Sequence, residues 1–129
     1  MSNYVITGFD ENYSRYGISW LISLRLLAEY KENIIIFGYN LSSHTKSIIH
    51  KLDAELIEKE NCQDIRKSVL QSIPHREGKI AYWDADVWFQ DKIDEIFDMK
   101  SIGVTSQNGF MIANQTQWNL YRCTQQFSE

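Results

Sequence analysis

The run Ile34-Ile35-Ile36-Phe37, inside Asn33 to Tyr39, constrains the fold of this chain more than any other segment. Three consecutive β-branched residues and an aromatic one offer no polar face, which suits a strand of a parallel sheet covered on both sides. The flanking sequence supplies the cover. Tyr4 to Thr7 reads as a first strand bounded by Gly8, and Tyr16 to Tyr30 as a largely buried helix. Ser42-Ser43 can cap a helix from Thr45 to Leu52; Glu55 to Lys59 is a weak strand, Gln63 to Ile73 a helix, and Lys79 to Trp83 a strong strand. Asp91 to Phe97 has the spacing of a short helix, Ser101 to Thr105 and Phe110 to Ala113 read as strands, and Thr116 to Phe127 as a last helix. This alternation predicts an α/β fold with a mostly parallel central sheet flanked by helices. A length of 129 residues, 43% of them hydrophobic, accommodates one core, so residues 1–129 are expected to form a single domain. No repeat or linker interrupts it, and the only proline, Pro74, sits in a turn-like segment.

The strong strand ends in Asp84-Ala85-Asp86. With 17 acidic residues in the chain, roughly two such spacings arise by chance, so the spacing alone is no signal. Glu58-Lys59-Glu60 is another instance and reads as a solvated strand end. Context separates the two, because Ile80 to Trp83 has no charged residue and ligands of open α/β sheets collect beyond the carboxyl ends of central strands. In extended backbone, residues i and i+2 share a face about 6.6 Å apart. Asp84 and Asp86 are therefore expected to hold one hard divalent cation.

Thr7, Gly8, Phe9, Asp10 and Tyr13 lie at the carboxyl end of the first strand, on the same sheet edge. Asp10 can accept hydrogen bonds from a base or ribose, and Tyr13 offers a ring for stacking; the competing reading is a polar turn that starts a helix. Asn108-Gly109 would let backbone approach a ligand closely, or would simply join two strands by a tight turn. His44, His50 and His75 form no site by their spacing, and the aromatic residues read as core, although Trp83 and Trp88 bracket the acidic pair and could line it.

A net charge of −4 and a pI near 5.3 give no electrostatic reason for a nucleic-acid or anionic-membrane partner. The first residues lack a signal-peptide pattern, and the most apolar segment, Ile18 to Ala28, contains Ser19, Ser23 and Arg25 and is too short to span a bilayer. A cytoplasmic protein with no transmembrane segment is expected. Cys62 and Cys123 have no metal-ligand spacing and are expected to be reduced thiols.

Three segments together resemble the nucleotide-sugar-dependent glycosyltransferases of the GT-A fold, particularly family 8, which includes glycogenin and galactosyltransferase relatives. The first is Val5 to Tyr13 with the following helix bearing Ser19, Leu21 and Ser23-Leu24; the second is Lys79 to Phe89 with Ile93 to Phe97; the third is Asn108 to Asn114 with Trp118. Their order and spacing agree over nearly the whole chain. The resemblance implies a single GT-A-like, Rossmann-like domain. It further implies a nucleotide-sugar donor, UDP-linked by expectation, and a cation, Mn²⁺ or Mg²⁺, held by Asp84 and Asp86 across the donor diphosphate. Asp84 would also lie near ribose or sugar hydroxyls, Asp10 and Tyr13 would hold the nucleotide, and Asn108 and Gly109 would flank the sugar. A basic residue on the helix before the metal strand would contact the donor; Arg66 and Lys67 both fit by spacing, and either equally reads as a solvated helix face.

The chain departs from that pattern in two ways. Trp83 replaces the usual leucine before the first aspartate, and the sequence ends at Glu129, where relatives continue into acceptor-binding elements and a later histidine of the metal shell. No catalytic residue is assignable, and the acceptor is unknown. Three readings follow: a minimal transferase that borrows an acceptor surface from an oligomeric mate, a domain that binds or hydrolyses the donor, or a degenerate scaffold. A phosphatase of the haloacid dehalogenase type also uses Asp-x-Asp after an apolar strand, but it needs Thr or Val four residues after the first Asp, where Trp88 stands.

Overall fold

In the computed structural model, which describes residues 2–99, 103–104 and 109–118, the predicted alternation is present. Strands β1 (Asn3–Asp10), β2 (Asn33–Tyr39), β3 (Glu55–Lys59), β4 (Lys79–Trp83), β5 (Gly103–Val104) and β6 (Phe110–Asn114) form one six-stranded sheet in the order β3-β2-β1-β4-β6-β5. The first four strands run parallel. β6 runs antiparallel to both β4 and β5. No helix among the described residues is long and apolar enough to cross a membrane.

The unbroken apolar runs have the reason expected of them. Ile34 and Ile36 join Val5, Phe9 and Ala81 in a core against helix α1 (Ser14–Ile22) and helix α2 (Ser43–Lys51). Ile35 and Phe37 join Ile6, Ile80 and Tyr82 in a second core against helix α3 (Ile65–Gln71), which contributes Val69 and Leu70. Successive side chains of a strand face opposite sides, so a sheet covered twice needs apolar residues at consecutive positions. Outside the sheet centre this demand relaxes: at edge strand β3, Glu58 is exposed and pairs with Lys46 at 2.5 Å, as a solvated strand end should.

The long helix expected over Tyr16 to Tyr30 is segmented. A 3₁₀ turn at Glu11–Tyr13 precedes α1, capped by the Asp10 carboxylate, which accepts from the Tyr13 N–H at 3.1 Å. α1 then widens into a π-helical turn at Ser23–Leu27. Two side chains of that turn fasten distant segments. The buried Ser23 hydroxyl donates to the Trp20 carbonyl at 2.9 Å and accepts from the Phe89 N–H at 3.0 Å, tying the segment after β4 to this helix. The Arg25 guanidinium donates to the carbonyls of Leu52 (2.9 Å), Tyr30 (2.9 Å), Glu32 (2.7 Å) and Asp53 (2.7 Å), so one fork closes both the entry to β2 and the α2–β3 connection.

The helix expected over Asp91 to Phe97 is instead a 3₁₀ turn, Asp94–Asp98. So short a segment gains little from helix propagation; it is held by Phe97, whose ring stacks on Tyr30 with centroids 6.1 Å apart. The last helix begins at 115, where Asn114 and Gln117 cap reciprocally: each backbone N–H donates to the other's side-chain oxygen at 2.9 Å. Trp118 on this turn donates from Nε1 to the Ile80 carbonyl at 3.0 Å. The remainder of Thr116 to Phe127, most of Ser101 to Thr105, and Asn108 and Cys123 lie outside the described residues.

Candidate functional site

β1 and β4 part company near their carboxyl ends, and the site lies in the gap. β1 pairs with β4 only from Asn3 to Ile6 but stays paired with β2 as far as Asp10. Beyond that point β4 turns away, and the edge of β1 at Gly8 to Asp10 faces a cleft of about 330 Å³. The sheet order also reverses between these two strands, which is where open α/β sheets bind ligands. One wall carries Gly8, Phe9, Asp10 and Tyr13, and the other Tyr82, Asp84, Ala85 and Asp86. Cys62, Gln63, Ile65 and Arg66 close it from the α3 side.

The residues expected at the first strand divide by role. Asp10 and Tyr13 do border the cleft, with Tyr13 52% exposed and its ring 5.3 Å from that of Tyr16. Thr7 does not. It is fully buried, and its hydroxyl donates to the Trp83 carbonyl at 2.7 Å, bridging β1 and β4 where they separate. Phe9 touches the cleft margin while its ring is buried in the core. Gly8 is required by packing: a Cβ there would lie 2.4 Å from Val69 Cγ2 and 3.2 Å from Phe37 Cβ, so the missing side chain lets α3 close on β1 and brings Arg66 to the cleft.

Neither aspartate lies within a strand, against the extended backbone that the spacing argument assumed. β4 ends at Trp83, and Asp84 opens a turn in which its carbonyl accepts from the Val87 N–H at 3.3 Å. The Asp84 N–H donates to the Gly109 carbonyl at 2.8 Å, which places Gly109 as a support of the turn and not among the cleft residues. Both carboxylates nevertheless border one cleft. Beneath the turn, Trp83 packs edge-on against Phe89 (4.9 Å) and close to Phe110 (4.4 Å), a core role that explains how tryptophan is accommodated there. Trp88 is exposed, and neither tryptophan borders the cleft.

Between the two basic candidates, the geometry favours Arg66. Its Nε donates to Asp84 Oδ1 at 3.0 Å and its Nη2 to Oδ2 at 2.5 Å, a two-point fork. The hydrogen bonds to Asp84 raise the Arg66 pKa further above its usual value. Lys67, one position on, is exposed and does not border the cleft. Tyr82 was legible only as core, yet its hydroxyl donates to Asp84 Oδ1 at 2.6 Å. Burial pushes the Tyr82 phenol up, and the adjacent Asp84 charge adds to this, so it remains a donor. Asp86 is exposed and makes no hydrogen bond or ion pair with the described residues.

These two carboxylates are hard oxygen donors suited to Mg²⁺ or Mn²⁺. Among the described residues no group of three or more His, Cys, Asp or Glu side chains converges, so a cation here would complete its shell with water or ligand oxygens.

Glu11, beside the cleft, has a structural duty that its sequence position did not reveal. Its carboxylate accepts from the Ser42 N–H (2.8 Å), the Ser42 hydroxyl (3.2 Å) and the Thr45 hydroxyl (3.2 Å) at the start of α2. The Ser42 backbone bond lowers its pKa below the ordinary 4.5. A lowered native pKa stabilises the fold above the unfolded value, and that contribution is lost as pH falls through the native one. Glu11→Gln is therefore expected to unfold at lower urea concentration than the parent at pH 7, with the gap narrowing as pH falls below 4.5; a gap independent of pH would contradict this.

No protein-family profile matches the chain, and no curated protein sequence matches it. Solved structures do. The active-site mutant Q189E of LgtC superposes with a TM-score of 0.68 at 14% identity, over 92% of this chain and 59% of that one. The glycosyltransferase GlyE of Streptococcus pneumoniae TIGR4, in its apo form, gives 0.68 at 16% identity, over 98% of this chain and 37% of its own. A mannosyltransferase of Pyrobaculum calidifontis, in complex with GDP-Man and Mn²⁺, gives 0.64 at 10% identity over 93% and 46%. The chain thus has a glycosyltransferase fold and spans little more than half, or less, of the length of these proteins.

Proposed function

We propose that this domain binds the donor of a metal-dependent glycosyltransferase resembling family 8, with a UDP-sugar as donor and Mn²⁺ or Mg²⁺ as cation. The observation that carries the reading is convergence: Asp10 and Tyr13 on one strand end and Asp84 and Asp86 on the next border a single cleft where the sheet order reverses. Tyr13 offers an exposed ring to the base, and Asp10 an acceptor to the base or ribose. The Asp10 carboxylate already caps the Tyr13 N–H, so that wall is ordered before ligand arrives. Asp84 and Asp86 would hold the cation, which supplies charge neutralisation to the diphosphate as it leaves. Arg66 adds a guanidinium beside them, suited to phosphate or sugar oxygens. Sugar transfer to an acceptor, which no described residue identifies, is the proposed activity.

The test is a calorimetric titration of the chain with UDP, in MnCl₂ and again in EDTA. Saturable binding is expected with Mn²⁺, weakened by about tenfold or more without it. Absence of binding under both conditions would leave only the scaffold reading. Release of free sugar from a UDP-sugar, measured without acceptor, would identify a donor-hydrolysing module.

A further inference from the structure

Building on the donor-site reading, we propose that Arg66 and the divalent cation compete for Asp84, so that the cation-free site is held closed by the protein's own guanidinium. Three hydrogen bonds define that state. Arg66 takes Oδ1 and Oδ2 together, at 3.0 and 2.5 Å, while Tyr82 takes Oδ1 again at 2.6 Å. A carboxylate has about four lone-pair sites, and three here face donors, so a cation can gain a full share of Asp84 only as the fork opens. The positive charge of Arg66 also sits where it repels an incoming cation.

Asp86 cannot compensate. It carries the second carboxylate but is exposed and isolated, and one solvated carboxylate binds Mn²⁺ weakly. A cation arriving alone must therefore displace Arg66 from Asp84 and brings no anionic oxygen to take the carboxylate's place in the fork. A cation arriving with a diphosphate brings that partner with it, since phosphate oxygens accept the same two-point fork. Cation and nucleotide are then expected to bind with strong mutual dependence, each poorly alone. The apparent cation affinity is the intrinsic affinity multiplied by the fraction of sites that Arg66 leaves open.

The test measures Mn²⁺ alone, by the free-ion electron paramagnetic resonance signal, on the parent chain and on Arg66→Ala, Arg66→Lys and Tyr82→Phe. Arg66 lies on the outer surface of α3 at a position where alanine favours helix, and thermal melts check that each variant is folded. Arg66→Ala is expected to bind Mn²⁺ about tenfold more tightly than the parent in the absence of nucleotide. Arg66→Lys, which keeps the charge but loses the fork, falls between them, and Tyr82→Phe changes affinity less than Arg66→Ala. UDP binding in Mn²⁺ should move the opposite way and weaken in Arg66→Ala. Equal or weaker Mn²⁺ binding by folded Arg66→Ala, with parent UDP binding still dependent on Mn²⁺, would overturn the competition and leave the donor-site reading standing. Loss of UDP binding by the parent would overturn both.

Discussion

Asp86→Ala is expected to weaken Mn²⁺-dependent UDP binding on the order of a hundredfold while leaving thermal stability nearly unchanged. The two halves of that result have one cause. Asp86 is exposed at the cleft mouth and makes no hydrogen bond or ion pair with the described residues, so the folded chain loses nothing when it is truncated. Among the described residues Asp84 and Asp86 are the two carboxylates on the β4 side of the cleft, so Asp86 supplies one of the two negative charges offered to the cation there. Asp84→Ala offers a contrast. It removes a ligand and also the carboxylate that accepts from Arg66 and from the buried Tyr82 hydroxyl, so binding and stability should fall together. Calorimetry in MnCl₂ paired with thermal melts separates the cases. An Asp86→Ala chain that melts with the parent and binds UDP as the parent does would remove Asp86 from the cation site.

The largest expected effect on stability belongs to Arg25, far from the cleft. Arg25→Met keeps the apolar stem but removes a cation that donates to four backbone carbonyls in two segments, the entry to β2 and the α2–β3 connection. Charge-assisted bonds of this kind contribute about 1.5–3 kcal/mol each where buried, and water can replace some of them at this partly exposed site. A net loss of about 3 kcal/mol is expected, corresponding to a drop in melting temperature on the order of 10 °C. Lysine should restore little, since a single ammonium cannot reach Leu52, Tyr30, Glu32 and Asp53 together. Urea unfolding monitored by far-ultraviolet circular dichroism provides the measurement; a loss below about 1 kcal/mol would show that the carbonyls are satisfied without it.

Sequence was most informative where burial on both faces left no alternative. Ile34 to Phe37 and Ile80 to Trp83 announce central strands because no polar residue could be tolerated among them, and the parallel sheet follows. It was least informative where a side-chain bond decides the backbone. Nothing in the pattern of Tyr16 to Tyr30 marks the widened turn that seats Ser23 against Phe89, because that partner is 66 residues away. The pairing of Arg66 with Asp84 was half visible: helical spacing gave Arg66 and Lys67 equal standing, and only the approach of α3 over Gly8 separates them. Tyr82 carried a weaker signal: it precedes Asp84 by two, the spacing that shares a face in a strand, but β4 ends at Trp83 and the turn that follows sets Asp84. Thr7 was misplaced for the converse reason, a polar residue near a strand end whose hydroxyl is spent on the neighbouring strand.

The separation of β1 from β4 also bears on how the chain acquires its cleft over time. β1 and β2 are joined by a local crossover, but β4 lies on the other side of β1 after β3 and α3 have intervened; Thr7 and Trp83, linked by a side-chain hydrogen bond where the strands diverge, are 76 residues apart. Closing so long a loop is entropically slow and is rewarded only when the strand docks. The two walls of the cleft thus come from segments far apart in sequence, and a cleft bordered by both exists only once β1 and β4 have paired. Ligand affinity therefore reports completion of that long-range pairing rather than the presence of its parts.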